Sequence, residues 1–286
     1  MFLWRPLGKR KMLKDSIIYL KEKLSELSFN EIKELASLVP ISLSKEEELV
    51  ELITILSMDK RKNVLALANR IENALHKQEA EFNRVKGMYL FDKSFSKFRY
   101  VAGVDEVGRG PLAGPIVGAA VILDLNNLND VILGIKDSKA LSEQKREELD
   151  VIIREKAIAY SISVCTNKEI DTLGIAHCNN KIFLDACRTL PVEPQLVLSD
   201  GYPVRNLNKP NKYIVKGDAK SASIACASII AKVFRDKLMK EYDDIYPGYG
   251  FKDNVGYGTQ KHIDAIHNIG TCEIHRMSFL NNILSK

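Results

Sequence analysis

From about residue 12 to residue 86 apolar positions recur every three or four residues, the spacing of one helical face. Glycine occurs only at 8 and 87 in the first ninety residues, and proline only at 6 and 40, so little interrupts that pattern. Helices are predicted over roughly 12–27 and 30–38, the second ending near Pro40. A third runs to about Ser57, with Ser44 and Glu47 as its capping box, and Asp59 is placed to cap a fourth. That last helix carries Val64, Leu65, Leu67, Ala68, Ile71, Ala74 and Leu75 on one stripe, continued by Phe82 and Val85. Such stripes need a partner surface. Lys60, Arg61, Lys62, Arg70, Lys77, Arg84 and Lys86 suggest a positive face, for which ordinary solvated surface is the weightier reading.

At Tyr100 the pattern turns β-rich. The chain is therefore expected to divide near 90, into a helical extension over 1–90 and a second domain over 91–286. Strands are predicted at Tyr100–Glu106, Gly114–Leu123, Val131–Ile135, Tyr160–Cys165, Gln195–Ser199 and Lys212–Val215. Ser142 is placed to cap one intervening helix, and Thr166 with Glu169 forms a capping box for a single helix reaching Cys187. A long helix spans about Ala219 to Tyr242, with Asp218 placed as its N-cap, and Thr259 caps another near the end. The order β-β-β-α-β-α-β-β-α predicts an α/β fold, a mixed sheet with helices on its faces, preceded by a small all-helical domain.

Lys and Arg exceed Asp and Glu by 42 to 37, a mild bias that nucleic acid would tolerate but that does not demand it. The five cysteines form no Cys-x-x-Cys pair, which speaks against a disulfide scaffold or a zinc site and for free thiols in a reducing compartment. No signal peptide or membrane span is read, so a cytoplasmic protein is expected. A monomer without a membrane partner is expected as well. His177, His262, His267 and His275 show no persuasive metal-ligand spacing.

Four acids sit where ordinary surface charge is unusual: Asp105 and Glu106 after an apolar strand, Asp200 after another, and Asp218 at a helix start. For each a bland reading competes. Asp105-Glu106 could ride a tight turn, Asp200-Gly201 is a turn signal by itself, and Asp218 could serve only as a cap. If the topology gathers all four, like charges would repel and raise one another's pKa values. A divalent oxygen-seeking cation such as Mg²⁺ or Mn²⁺ removes that conflict, and a pair of them serves phosphodiester hydrolysis. Adjacent strand residues point to opposite faces, so Asp105 and Glu106 share a site only if the chain bends there, which Gly108 and Gly110 would ease. Downstream, Tyr257 lies in a glycine- and tyrosine-rich loop where an exposed ring could stack on a sugar or base.

Read together, Asp105-Glu-Val-Gly-Arg-Gly110, Asp137-Ser-Lys139, Ser199-Asp-Gly201, Lys216-Gly-Asp218, Ser221-x-Ser223 and Gly256-Tyr-Gly-Thr259 resemble the ordered motifs of ribonuclease HII, the bacterial type 2 ribonuclease H group. The resemblance covers about 98 to 280. It implies a ribonuclease H-like fold with a two-metal centre of Mg²⁺ or Mn²⁺ on Asp105, Glu106, Asp200 and Asp218. It implies hydrolysis of the RNA strand of RNA–DNA hybrids, and incision 5′ to single ribonucleotides in duplex DNA, leaving 3′-hydroxyl and 5′-phosphate ends. By the same resemblance Gly108, Arg109 and Gly110 read the 2′-hydroxyl and its flanking phosphate. Tyr257 stacks at the RNA–DNA junction, and Lys139, Ser221 and Ser223 sit near phosphates. His275-Arg276 matches a characteristic pair without an assigned role. Val255 stands where a lysine or another polar residue is expected, and Cys226 where alanine is. The glycine motif and the helical extension both differ from those of ribonuclease HIII.

Overall fold

The computed structural model describes residues 9–95 and 97–285; residues 1–8, ahead of the first predicted helix, lie outside them, as do Ser96 and Lys286. The chain forms two compact units, Met1–Arg84 and Val85–Lys286.

The first unit is helical: α1 Lys9–Lys23, α2 Phe29–Ser37, α3 Glu46–Ser57 and the start of α4, Lys62–Lys93. Their apolar stripes close on one core that includes Leu20, Ile32, Leu49, Leu52, Leu56, Val64 and Leu75. The predicted Ser44–Glu47 capping box is not formed. Ser44 lies in a short 3-10 turn, bonding only toward Ser42, and α3 has no side-chain cap. The box belongs instead to Ser28 and Glu31, at the start of α2. Asp59 accepts the Arg61 N–H at 2.8 Å. The Arg61 guanidinium is held by Asp59 and by the Leu24 and Leu27 carbonyls, and Arg84 pairs with Glu81, so part of the supposed positive face is satisfied locally.

The division between the two units falls within α4, after Arg84. Two residues of its final turns are tied into the second unit: the Tyr89 hydroxyl accepts the Ile132 N–H at 3.3 Å, and Asp92 is fully buried. Beyond it come β1 Val101–Val107, β2 Ile116–Ile122, α5 Glu143–Lys156, β3 Ala159–Cys165, α6 Asn167–Leu173 and α7 Ile175–Thr189. Then follow β4 Leu196–Asp200, β5 Asn211–Ile214, α8 Gly217–Lys220, α9 Ala222–Ile245, α10 Phe251–Asn254, α11 Gln260–Ile269 and α12 Asn281–Leu284. The five strands form one sheet in the order β3-β2-β1-β4-β5, antiparallel across β3-β2-β1 and parallel across β1-β4-β5.

Val131–Ile135 is not a sixth strand; Val131, Ile132 and Ile135 are buried without joining the sheet. Gly174, at φ 82°, divides the predicted single helix into α6 and α7. One face of the sheet packs on α7, with Val104, Ile116, Cys178, Ile182 and Phe183 in a common cluster. The other receives α9 so closely that a Cβ on Gly103 would lie 2.2 Å from the Ile224 nitrogen. No described helix is long and apolar enough to cross a membrane.

Candidate active site

Parallel pairing of β1 with β4 sets the strand ends that carry Asp105, Glu106 and Asp200 side by side, with Val104 opposite Ser199. Gly103 faces α9, so Asp105 faces α9 too and Glu106 falls on the α7 side. Asp105 is buried, whereas Glu106, Asp200 and Asp218 are half-buried. Burial pushes the Asp105 carboxyl well above its ordinary range, and the charges of Glu106 and Asp200 add to this; the Ser228 hydroxyl and the Glu106 N–H work against it. Burial also raises Glu106, where the Arg109 charge opposes it and Asp200 reinforces it. Asp218 is raised by burial and then by Asp200 and Asp137. Asp200 is thus the carboxylate felt at all three others.

Asp218 is not the cap of the long helix. Ser221 breaks the helical run, and its hydroxyl caps α9 by accepting the Ile224 N–H at 3.2 Å. Asp218 lies instead in the separate turn α8, entered through Lys216 in the left-handed conformation, φ 55°. Gly217 N–H donates to Asp200 Oδ1 at 2.7 Å, which ties this turn to the end of β4. A Cβ on Gly217 would lie 3.3 Å from that same oxygen, so the approach uses the glycine's lack of a side chain.

Ser221 and Ser223, expected near phosphates, make their hydrogen bonds within the protein. Both are buried, Ser223 N–H and Oγ–H each donate to Asp92 at 2.8 Å, and the two hydroxyls lie 3.2 Å apart. Asp92, at the end of α4, thus accepts a first-turn amide of α9 that has no partner within the helix. No feature singled it out in the sequence, because its partner is 131 residues away. Asp137, part of a recognised motif but given no role there, caps the turn Ser138–Ala140 and raises Asp218, while exposed Lys139 lowers both Glu106 and Asp218. Ser138 accepts a hydrogen bond from Ser228 at 3.0 Å.

The loop that follows β1 is braced from behind by two fully buried arginines. Arg276 donates to the carbonyls of Gly108, Arg109 and Gly114 at 2.6, 3.1 and 2.8 Å. Arg235 donates to Pro115, Val255 and Ala113 at 2.9, 2.9 and 3.1 Å. Burial lowers their pKa values, Arg235 to about 10 and Arg276 to about 9. Gly108 has φ 88°, and a Cβ there would sit 2.2 Å from Arg235 Nε, so only glycine fits. Arg109 and Gly110 remain exposed, Arg109 lying 5.1 Å over the Tyr202 ring. Tyr257 is 43% exposed, and its ring edge is 3.7 Å from where a Gly110 Cβ would be.

Asp105, Glu106, Asp200 and Asp218 supply only oxygen ligands, and at three of them one carboxylate raises another. Hard divalent cations suit that donor set. Among the described residues, no three His, Cys, Asp or Glu side chains are gathered closely enough, as they stand, to hold a metal ion.

A mixed sheet flanked by helices, with acids at the ends of its two central parallel strands, defines an α/β protein of the ribonuclease H-like class. The ribonuclease HII profile matches residues 102–282, and the ribonuclease HII N-terminal domain profile matches residues 28–96. Ribonuclease HII of Clostridium perfringens strain 13 is 58% identical over 265 residues, covering 93% of this chain and 97% of that protein. The Clostridium beijerinckii ribonuclease HII is 56% identical over 270 residues, covering 94% and 100%. Among solved structures, ribonuclease H2 from Pyrococcus horikoshii OT3 superposes with a TM-score of 0.55 at 30% identity, covering 65% of this chain and 97% of that one. This chain belongs to the ribonuclease HII family.

Proposed function

We propose that the protein is a divalent-metal-dependent endoribonuclease that hydrolyses the RNA strand of RNA–DNA hybrids. In duplex DNA it incises 5′ to single ribonucleotides, leaving 3′-hydroxyl and 5′-phosphate ends. The observation that carries this reading is the placement of Asp200, beside Asp105 and Glu106 across the β1–β4 edge and tied through Gly217 to the turn of Asp218.

Asp105, Glu106, Asp200 and Asp218 would hold Mg²⁺ or Mn²⁺, which when bound supplies an acidified water and offsets charge on the leaving oxygen. The exposed Arg109 guanidinium can donate to a flanking phosphate. Gly108 and Gly110 let the backbone approach the 2′-hydroxyl, the group that distinguishes RNA from DNA. Lys139 offers a second cation near Glu106 and Asp218. The exposed Tyr257 ring is available to stack at the junction.

Three duplexes test this: all-DNA, DNA with one embedded ribonucleotide, and an RNA–DNA hybrid, each with Mg²⁺ and with Mn²⁺ and with product ends mapped. Cleavage confined to the two ribonucleotide-containing substrates is expected, with Asp200→Asn reducing turnover about a thousandfold, as loss of a charge-stabilising group does. Equal cleavage of the all-DNA duplex, or an Asp200→Asn enzyme of normal rate, would sink the reading.

A further inference from the structure

The chemistry just described leaves His262 and His275 unused, although both are fully buried, at 0% and 1% exposure. Their partners fix where each proton sits. His262 Nδ1 lies 2.9 Å from the Tyr257 carbonyl, which can only accept, so Nδ1 carries the hydrogen. The other nitrogen of a neutral His262 is then an acceptor, and His275 Nε2, 3.1 Å away, must donate to it. His275 Nδ1 is left as an acceptor for the Cys272 N–H at 2.9 Å and the Cys272 thiol at 3.1 Å; the Cys272 carbonyl, at 3.3 Å, is the more distant contact. The hydrogen bonds therefore run one way, from the Cys272 amide through two imidazoles to the Tyr257 carbonyl.

The surroundings pack both rings among aromatic side chains and favour their neutral form. Tyr249 and Phe251 stack at 5.2 Å, Tyr249 meets His275 edge-on at 5.0 Å, and Phe251 meets His262 edge-on at 5.3 Å. Burial lowers the His262 pKa and takes that of His275 down to about 4.

The backbone around His275 also reaches the loop that carries Arg109. Ala113 bridges His275, the Gly114 N–H donates to Ile274, and the Arg276 N–H donates to Leu112. Leu112 N–H in turn donates to Gly256, next to Tyr257. One short segment thus grips both substrate-facing loops, the first through its backbone and Arg276, the second through the paired imidazoles.

We propose that His262 and His275 are positioning residues whose imidazole relay sets Tyr257 against Gly110, and thereby governs how well a single ribonucleotide is distinguished within duplex DNA. This rests on the reading of Tyr257 as the junction-stacking residue. A histidine that merely filled the core would accept leucine, which is apolar and of similar bulk, better than asparagine. A relay residue shows the opposite order, because the asparagine amide can keep a donor near the Nδ1 position.

The test compares the ratio of kcat/KM on a one-ribonucleotide duplex to kcat/KM on a long hybrid. The wild-type protein, His262→Leu, His262→Asn and Tyr257→Ala are measured. His262→Leu is expected to lower the ratio about five- to tenfold, the value of one lost hydrogen bond, with His262→Asn within about twofold of wild type. A normal ratio in His262→Leu, or no advantage of asparagine over leucine, overturns the proposal while the role of Tyr257 stands, provided Tyr257→Ala lowers the ratio. A normal ratio in Tyr257→Ala shows instead that the junction-stacking reading is wrong, and the proposal falls with it. Should His262→Leu not fold, ¹⁵N-histidine spectra of the wild-type protein decide. A slowly exchanging proton on His262 Nδ1 and another on His275 Nε2 are expected, and the reverse tautomers overturn the relay.

Discussion

Asp200 Oδ1 accepts the Gly217 N–H at 2.7 Å, and this bond joins the end of β4 to the turn bearing Asp218. The relationship predicts the effect of Gly217→Ala. The new methyl would lie 2.7 Å from Ile224 Cδ1, the movable end of a side chain, and 3.3 Å from the Asp200 oxygen. Ile224 can turn aside, but Asp200 cannot move without losing its place beside Asp105. Turnover is expected to fall about tenfold to a hundredfold, as small misplacements of reacting groups do, with thermal stability nearly kept. Steady-state kinetics beside a melting curve check this; a stable variant of wild-type rate would show that the Asp200–Gly217 spacing does not matter.

Arg276 makes three hydrogen bonds to carbonyls and no ion pair among the described residues. Arg276→Met removes a buried charge but leaves three acceptors unpaired, so a net loss of about 2–4 kcal/mol is expected. Arg276→Lys retains the charge without the planar fork that reaches all three carbonyls, and is expected to be at least as damaging. Urea unfolding at neutral pH decides the order. A lysine variant as stable as wild type would mean that charge, rather than the fork, braces the loop.

These cases show what local sequence can carry. Ser142, Thr166–Glu169 and Thr259 act where their spacing predicts, because a cap involves only residues three positions apart. Gly174 and Ser221, by contrast, interrupt helices whose apolar spacing continues across the break, so periodicity alone joins the pieces. The four acids stand out by sitting at strand ends, but only the pairing of β1 with β4 puts three of them side by side. Arg235 stands among Lys232, Lys237 and Lys240 along the long helix, yet it is fully buried, since its acceptors come from residues 113, 115 and 255. The Asp92–Ser223 bond is hidden for the same reason: its two sides are far apart in the chain.

Asp92 supplies a pH prediction. Burial raises its carboxyl from 3.8 to about 6, against the hydrogen bonds from Ser221 and Ser223 that favour the ionised form. The folded protein therefore binds this proton more tightly than the unfolded chain. The resulting stability is fullest below the unfolded value and is lost as pH rises through the folded one. At about 1.36 kcal/mol per pH unit, the group removes about 3 kcal/mol of unfolding free energy across that window. Asp92→Asn has no such titration. The difference in unfolding free energy between wild type and Asp92→Asn should move against the wild type between about pH 4 and pH 6.5, then level off. A difference that stays constant over that range would mean that Asp92 is ionised throughout.

Val255 holds a conformation that few β-branched residues adopt, φ 43° and ψ 34°, at the end of α10. It is kept there because its carbonyl accepts a hydrogen bond from Arg235 at 2.9 Å and its amide donates to Phe251 at 2.9 Å. Strain of this kind costs about 1–3 kcal/mol. Asparagine enters the left-handed region far more readily than alanine, and both substitutions forfeit the same partial packing of the valine side chain. Val255→Asn should therefore be the more stable of the two, by about 1 kcal/mol in urea unfolding, if backbone strain dominates at this position. If side-chain packing dominates, the order reverses, because alanine buries no polar group in the cluster formed with Ala113, Met239 and Phe251.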